Sequence, residues 1–282
     1  MPELPEVETV RRTLEGLVVG KKIRNVSVFL PRIVRKPTEI LEFSLLLQGQ
    51  TIQGIGRRGK FLKIILDDLV LVSHLRMEGR YGVYPSEEPI EKHTHVIFHF
   101  TDGTELRYRD VRQFGTMEIW PKGQEDDSPS LRKLGPEPLD PNFTLAIFKE
   151  RLKGKKTKIK PLLLNQEWLV GLGNIYVDEA LFRARIHPET EAHLLSPVKI
   201  GQLYEAIRET LQEAVEQGGS SIKSYVNGQG EMGMFQQQLK AYGRDNEPCL
   251  RCGTMMKRIV VGGRGTHFCP RCQKQRKEKI KI

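Results

Sequence analysis

All four cysteines of the chain stand in one C-terminal window, as Cys249-Leu250-Arg251-Cys252 and Cys269-Pro270-Arg271-Cys272. Two Cys-x-x-Cys pairs with 16 residues between them have the spacing of a four-thiolate zinc site. The two-residue gap lets both sulfurs of a pair face one tetrahedral ion. The intervening stretch has the right length for a β-hairpin that brings the pairs together. Two disulfides are the alternative. The lack of a secretory leader and a supply of apolar residues amounting to 38% of the chain argue against covalent staples, and the expectation is one structural zinc ion. Between the pairs, Lys257-Arg258-Ile259-Val260-Val261 reads as a strand, and the glycines around Arg264 read as a tight turn with a cation at its tip. That arrangement has no hydrophobic purpose. It suits a phosphate, or a reaction centre that carries one, although a plain exposed turn would look the same.

The charge balance extends the same theme. The 282 residues carry a formal net charge of +10, with cations clustered at Arg57, Arg58, Lys60 and Lys63, again from Arg151 to Lys160, and in the tail from Arg271 to Lys281. Clustered cations point to a polyanion, nucleic acid ahead of a membrane surface, while the tail alone could be a solvated end. No stretch is apolar enough to span a bilayer, and thiolates reserved for zinc suit a reducing cytoplasm.

The elements that must position these groups follow from periodicity. A first helix is expected from Pro2 or Leu4 to about Leu17, with acidic residues at its start and Gly20 beyond its end. From about 22 to 120 short β-like runs alternate, among them Ile23 to Leu30, Phe61 to Leu66, Val70 to His74, Val96 to Phe100 and Met117 to Trp120, which predicts a sandwich or barrel. Residues 122–141, rich in Gly, Asp, Ser and Pro, read as a linker. Helical periodicity follows in Phe143 to Leu152, Ile159 to Gln166, Ile175 to Ala184 and Pro197 to Gln217. The expected organisation is therefore a β-rich domain over 2–121, a linker over 122–141, a helical domain over 142–230, a zinc finger over 239–273 and a basic tail over 274–282.

Several strings together resemble one family, the bacterial formamidopyrimidine-DNA glycosylases. They are Pro2-Glu3-Leu4-Pro5-Glu6-Val7-Glu8-Thr9, Arg58-Gly59-Lys60-Phe61-Leu62, His74-Leu75-Arg76-Met77-Glu78-Gly79, Tyr108-Arg109-Asp110-Val111-Arg112, Gly171-Leu172-Gly173-Asn174-Ile175-Tyr176 and the cysteine hairpin. The resemblance covers essentially the whole chain. It implies an α+β multidomain fold, with an N-terminal helix and two-sheet β-sandwich, a helix-two-turn-helix domain and a zinc-finger hairpin. It implies a DNA glycosylase with coupled lyase activity that acts as a monomer on oxidised purines in double-stranded DNA.

On that resemblance Pro2 is the nucleophile once Met1 is removed. Its secondary amine would have a pKa of roughly 8, leaving a useful unprotonated fraction at neutral pH. Taken alone, Met-Pro-Glu is only a helix entry. Glu3 would act as general acid/base and Glu6 would hold the sugar or base. Lys60 matches the proton donor of β-elimination, and Arg264 the group assigned to δ-elimination; an arginine is a poor acid, which favours phosphate clamping and electrostatic assistance. Met77 and Phe114 match a wedge that fills the gap left by a flipped base, and Arg112 would bond the orphaned partner base. Either apolar residue could instead be core. Lys155, Lys160 and Asn174, at the start of the Ile175 helix, would seat phosphate, and His74 and His93 match DNA-contacting positions.

Asn165, Glu167-Trp168 and Gln113 depart from the family's usual residues, next to functional segments rather than on them. Two rival readings remain: an endonuclease VIII-like glycosylase for oxidised pyrimidines, and a zinc-ribbon DNA-binding protein without catalysis.

Overall fold

The computed structural model describes residues 1–220 and 233–275. Most of the basic tail, from residue 276 onward, and residues 221–232, which include the last ten of the expected helical domain, lie outside the described residues. The chain divides into two compact units, Met1–Lys133 with the described part of Gln217–Gln236, and Leu134–Glu216 with the described residues from Gln237 onward.

The first unit opens with helix α1 (Leu4–Val18), which buries Leu4, Val7, Val10, Leu14 and Val18 along one stripe. Glu3 caps it through a reciprocal box with Glu6, whose Oε2 accepts the Glu3 N–H at 2.8 Å. Such a box satisfies N–H groups that the first turn leaves without intrahelical partners, worth about 1 kcal/mol.

Two sheets follow. One is antiparallel, in the order β1 (Ile23–Val28), β7 (Thr94–Phe100), β8 (Thr104–Arg109) and β6 (Arg80–Pro85). The other runs β2 (Val34–Lys36), β9 (Thr116–Pro121), β5 (Leu69–His74), β4 (Phe61–Ile65) and β3 (Gly54–Arg58). Alternating residues such as Leu62 and Ile64, Phe98 and Phe100, and Leu106 and Tyr108 form one apolar core with the α1 stripe. The fold is thus a two-sheet sandwich carrying a helix, which decides between the sandwich and barrel alternatives. One segment differs from the expected all-β pattern. Ile40–Leu47 is a helix, α2, because its leucines lack the β-branched stiffness that favours a strand and because Phe43 and Leu47, four residues apart, bury on one face.

The second unit holds α3 (Leu145–Leu152), α4 (Ile159–Leu164), α5 (Asn174–Ala184), α6 (Pro197–Glu216) and the hairpin of β10 (Lys257–Val261) and β11 (Arg264–Phe268). Helix α5 carries Asp178 and Glu179, adjacent and both buried. Glu179 receives the main-chain N–H groups of Lys240, Ala241 and Tyr242 at 2.8–3.1 Å, tying the segment before the cysteines to the helix. Gln273 does the same after them, accepting from Cys269 N and donating to the Ile186 carbonyl, each at 2.9 Å.

Residues 122–141 do not stand apart as a free linker. Glu125 pairs with Lys63 of β4 at 2.6 Å, whereas the Gly135 N–H bonds the Gln166 carbonyl at 2.8 Å and Arg208 of α6 bonds the Pro138 carbonyl at 2.6 Å. Gly135 is required there, since a Cβ would lie 2.7 Å from the Trp168 backbone. The departing residues also find uses. Asn165 accepts the Glu167 N–H at 2.9 Å, and Trp168 packs edge-on against Phe148 with ring centroids 5.7 Å apart.

Candidate active site and nucleic-acid interface

Pro2, Glu3 and Glu6 are all buried at the start of α1, beneath an exposed Met1. With Met1 attached, the Pro2 nitrogen is an amide and carries no nucleophilic lone pair; its removal exposes a secondary amine at this spot. Glu6 is occupied in two directions. Its second oxygen accepts the Ser220 N–H at 2.8 Å, and a Cβ at Gly219 would stand 2.8 Å from the same oxygen. Gly219, with φ +78°, is the only residue type that fits both the conformation and the approach. Glu6 thereby fixes the Gly219-Ser220 backbone to the mouth of α1, a link that sequence reasoning missed because 214 residues separate the partners.

Lys60 lies in a two-residue hairpin turn, Gly59-Lys60, between Arg58 and Phe61, which pair across β3 and β4. Gly59 takes φ +56°, as the first position of a type II′ turn requires. Arg57 holds this turn to the helix by bonding Glu8 at 3.1 Å and the Gly59 carbonyl at 2.9 Å. Burial pushes the Glu8 carboxyl up, but Arg11, with Arg12 and Arg57, holds it below the ordinary carboxylate value. The pairing register then sets a row at one end of the sheet, with Phe61 opposite His74 and His74 opposite Thr116. His74 is buried, stacks edge-on against Phe61 at 4.4 Å, and accepts the Arg76 N–H on Nδ1 at 2.8 Å. Burial, reinforced by the charges of Arg76 and Lys60, depresses its pKa to about 3. The imidazole is therefore neutral at physiological pH, and its Nε2 is left as the donor nitrogen.

The two loops expected to carry a wedge leave this same end of the sheet, 75–79 after His74 and 110–115 before Thr116. Met77 is 36% exposed and Phe114 52% exposed, so neither is core. The Arg112 guanidinium lies over the Phe114 ring, 5.0 Å from its centroid. Beneath them sits a device that sequence reasoning quoted within a motif but did not single out. Buried Asp110 accepts the Phe114 and Gly115 N–H groups on one oxygen, at 2.9 and 2.8 Å, and the Arg112 N–H on the other at 3.1 Å. The Tyr108 hydroxyl fits between Gly79 and Gly115, where a Cβ on either would overlap it. Burial, with the adjacent Asp110 carboxylate, pushes the Tyr108 phenol far above its ordinary value, so the hydroxyl stays protonated. Gln113 adopts φ +60° at the crest of this turn and accepts a bond from Arg32. His93 precedes β7, half-buried and with φ +70°, and its carbonyl accepts the Asp110 N–H at 3.0 Å.

In the second unit Gly173 caps α5 and Asn174 begins it. Asn174 donates its Nδ2 to the Gly265 carbonyl at 2.8 Å. Lys155 is exposed, as a phosphate contact requires, but Lys160 is not. Lys160 is 0% exposed, with its Nζ 2.6 Å from Asp178 Oδ1 and 3.1 Å from the Gly265 carbonyl, which corrects its expected place on phosphate. The position of Arg264 is also refined. The two-residue turn is Gly262-Gly263, both at positive φ, and Arg264 is the exposed first residue of β11 paired with Val261. Two glycines satisfy a type I′ turn, which leaves the cation flanking the apex rather than on it.

The four cysteine sulfurs lie within 4.8 Å of one another, and Cys252 Sγ and Cys269 Sγ are 3.5 Å apart. Tetrahedral Zn–S bonds of about 2.3 Å would place sulfurs about 3.8 Å apart, whereas a disulfide needs about 2.05 Å. The geometry fits one metal ion with four thiolates.

Residues 1–117 match the family described as the formamidopyrimidine-DNA glycosylase N-terminal domain, residues 134–226 its H2TH domain, and residues 246–275 a zinc finger found in FPG and IleRS. The chain is 67% identical over 274 residues to a formamidopyrimidine-DNA glycosylase of Brevibacillus brevis, covering 97% of this chain and 99% of the relative. The protein of that name from Bacillus subtilis is 59% identical over 97% of this chain and 99% of its own length. Among solved structures, wild-type Lactococcus lactis Fpg (MutM) with DNA containing N7-benzyl-Fapy-dG superposes with a TM-score of 0.91 at 46% identity, over 97% of this chain and 100% of that one. A MutM complex with DNA containing carbocyclic 8-oxo-G gives 0.90, at the same identity and coverage.

Proposed function

The chain belongs to the formamidopyrimidine-DNA glycosylase family, and on that premise we propose that it excises oxidised and ring-opened purines from duplex DNA and then cleaves the strand on both sides of the abasic site. The observation that carries this reading is the convergence of buried Pro2, Glu3 and Glu6 at the mouth of α1, in the same unit as the Gly59-Lys60 turn and the Asp110-braced wedge. The non-catalytic alternative loses ground to the same set, and the endonuclease VIII-like one to Leu4-Pro5 together with Met77, Arg112 and Phe114.

With Met1 removed, the Pro2 amine adds to C1′ of the damaged nucleotide as the bond from C1′ to the base breaks and the base departs with a proton. Opening of the sugar ring gives an iminium between Pro2 and C1′. That electron sink acidifies C2′, so loss of a C2′ proton expels the 3′ phosphate. Loss of a C4′ proton then expels the 5′ phosphate, and water releases the sugar fragment and restores Pro2. Glu3 carries protons at the sugar, Lys60 carries them in the first elimination, and Arg264 stabilises departing phosphate charge in the second. Neutral His74 donates to a phosphate oxygen through Nε2, Arg112 reads the partner base, and Met77 and Phe114 occupy the vacated stack. Lys155 and Asn174 seat backbone phosphate; Lys160 does not. The cysteine cluster holds zinc, which supplies folding free energy in a closed site with no position open to substrate. Such an enzyme works in the cytoplasm, on the nucleoid.

Borohydride added during turnover reduces the iminium and should leave DNA fixed to Pro2, as read by peptide mapping. Attachment to an internal lysine would overturn the mechanism. An oxidised-pyrimidine duplex cut in preference to an 8-oxoguanine duplex would favour the rival glycosylase.

A further inference from the structure

The hairpin that carries Arg264 is gripped by buried charged side chains that the reaction does not use. Lys160 of α4 pairs with Asp178 of α5 at 2.6 Å and also donates to the Gly265 carbonyl at 3.1 Å. The other oxygen of Asp178 accepts the His267 main-chain N–H at 2.9 Å and faces His267 Nδ1 at 3.2 Å. The far nitrogen of that ring stands 3.4 Å from Asp245. Asn174 adds a second donor to the Gly265 carbonyl at 2.8 Å. Gly262, in the turn, approaches Pro161 so closely that a Cβ would lie 2.9 Å from its ring. Residues 262, 265 and 267 are all anchored to the helices, and Arg264 is bracketed by them.

We propose that Lys160, Asp178 and His267 are positioning residues that fix where the Arg264 guanidinium stands for the second elimination. The inference rests on the reading of Arg264 given above. An isolated two-stranded hairpin is marginal in water, and the metal cluster anchors only its base. A buried ion pair is a costly fastener compared with apolar packing, but apolar packing lets a strand slide. Bonds to named atoms at 265 and 267 set the register of β11 and with it the origin of the Arg264 side chain. A misplacement of about 1 Å can cost about a hundredfold in rate, so the tolerance for sliding is small.

The test uses the full-length zinc-loaded protein and a duplex with a preformed abasic site. Asp178→Asn, which keeps the shape but removes the charge, and Lys160→Met should each lower the ratio of doubly to singly eliminated product by at least about tenfold. Borohydride trapping should stay near the wild-type rate, one zinc per chain should remain, and the salt dependence of DNA affinity should not change. In Arg264→Ala the ratio should collapse, and adding Asp178→Asn to it should lower the ratio no further. If Arg264→Ala lowers the ratio and neither other variant does, positioning is refuted while the Arg264 reading stands. An unchanged ratio in Arg264→Ala refutes both. A salt slope shallower by about one in Lys160→Met would mark a phosphate contact and overturn the proposal. So would loss of zinc accompanied by failure of trapping and of both eliminations together.

Discussion

Asp110 offers the sharpest separation of base extrusion from chemistry. Its two oxygens accept three N–H groups, from Arg112, Phe114 and Gly115, and those residues form the loop that carries the proposed wedge and partner-base reader. Asp110→Asn preserves the volume but leaves one oxygen. That oxygen will face Phe114 and Gly115, which supply two donors, and the new NH2 will face the Arg112 N–H, donor against donor. One charge-assisted bond is lost, worth about 1.5–3 kcal/mol, and the loss falls on Arg112, the proposed reader of the orphaned base. If the loop must regain that order in the extruded state, excision slows by about ten- to a hundredfold, at 1.36 kcal/mol per factor of ten. Cleavage of a preformed abasic site needs no base extruded and should change little. The assay is single-turnover excision of 8-oxoguanine opposite cytosine, beside strand cleavage of a matched abasic duplex. Discrimination against other partner bases should narrow in the same variant, because Arg112 loses its backbone anchor. Equal slowing on both substrates would show that Asp110 supports the sandwich as a whole, and no slowing on either would show that the loop orders without it.

Phe114→Ala should likewise slow excision far more than abasic-site cleavage while leaving the salt dependence of binding unchanged, since no cation is lost; a parallel loss on both substrates would reassign Phe114 to the fold. Gly115→Ala puts a methyl into the Tyr108 hydroxyl and should destabilise the protein by several kcal/mol on the scale of overpacked cores, a denaturant midpoint near wild type being the contrary result. His74 is depressed to about 3 when folded, against 6.5 for the free side chain, so between those values the unfolded chain binds the extra proton. Stability from this group is full above pH 6.5 and falls as pH drops toward 3, by about 2 kcal/mol at pH 5; urea titrations of the wild type should show that slope, and His74→Phe should flatten it. Cys249→Ser or chelation should lower DNA affinity and the doubly eliminated product while Pro2 still traps; normal binding and cleavage by metal-free protein would refute the structural role of the cluster.

How much of this was legible in the chain depends on the range of the interaction that fixes each residue. The α1 stripe, the cysteine pairs and helices α3 to α6 are written in local periodicity and spacing, and their bounds emerge within one or two residues. Ile40–Leu47 was illegible as a helix among strands because its six apolar residues, broken by Glu42 and Ser44, fit either periodicity until packing selects one face. The Lys60 turn could be placed but its nearness to His74 could not, because His74 arrives through strand register rather than sequence distance. Lys160 shows where reading by composition fails. It stands in a run of exposed cations, from Lys153 to Lys158, and nothing local distinguishes it. Yet Ile159 and Lys160 begin α4 on the buried side, and a lysine so placed needs a carboxylate within reach or its charge would not survive burial. That carboxylate is Asp178, 18 residues away in sequence, in a segment that reads as an ordinary helix. A charged residue on an apolar helix face is thus a prompt to search for its partner. Here the partner leads from a supposed phosphate contact to the hairpin that carries Arg264.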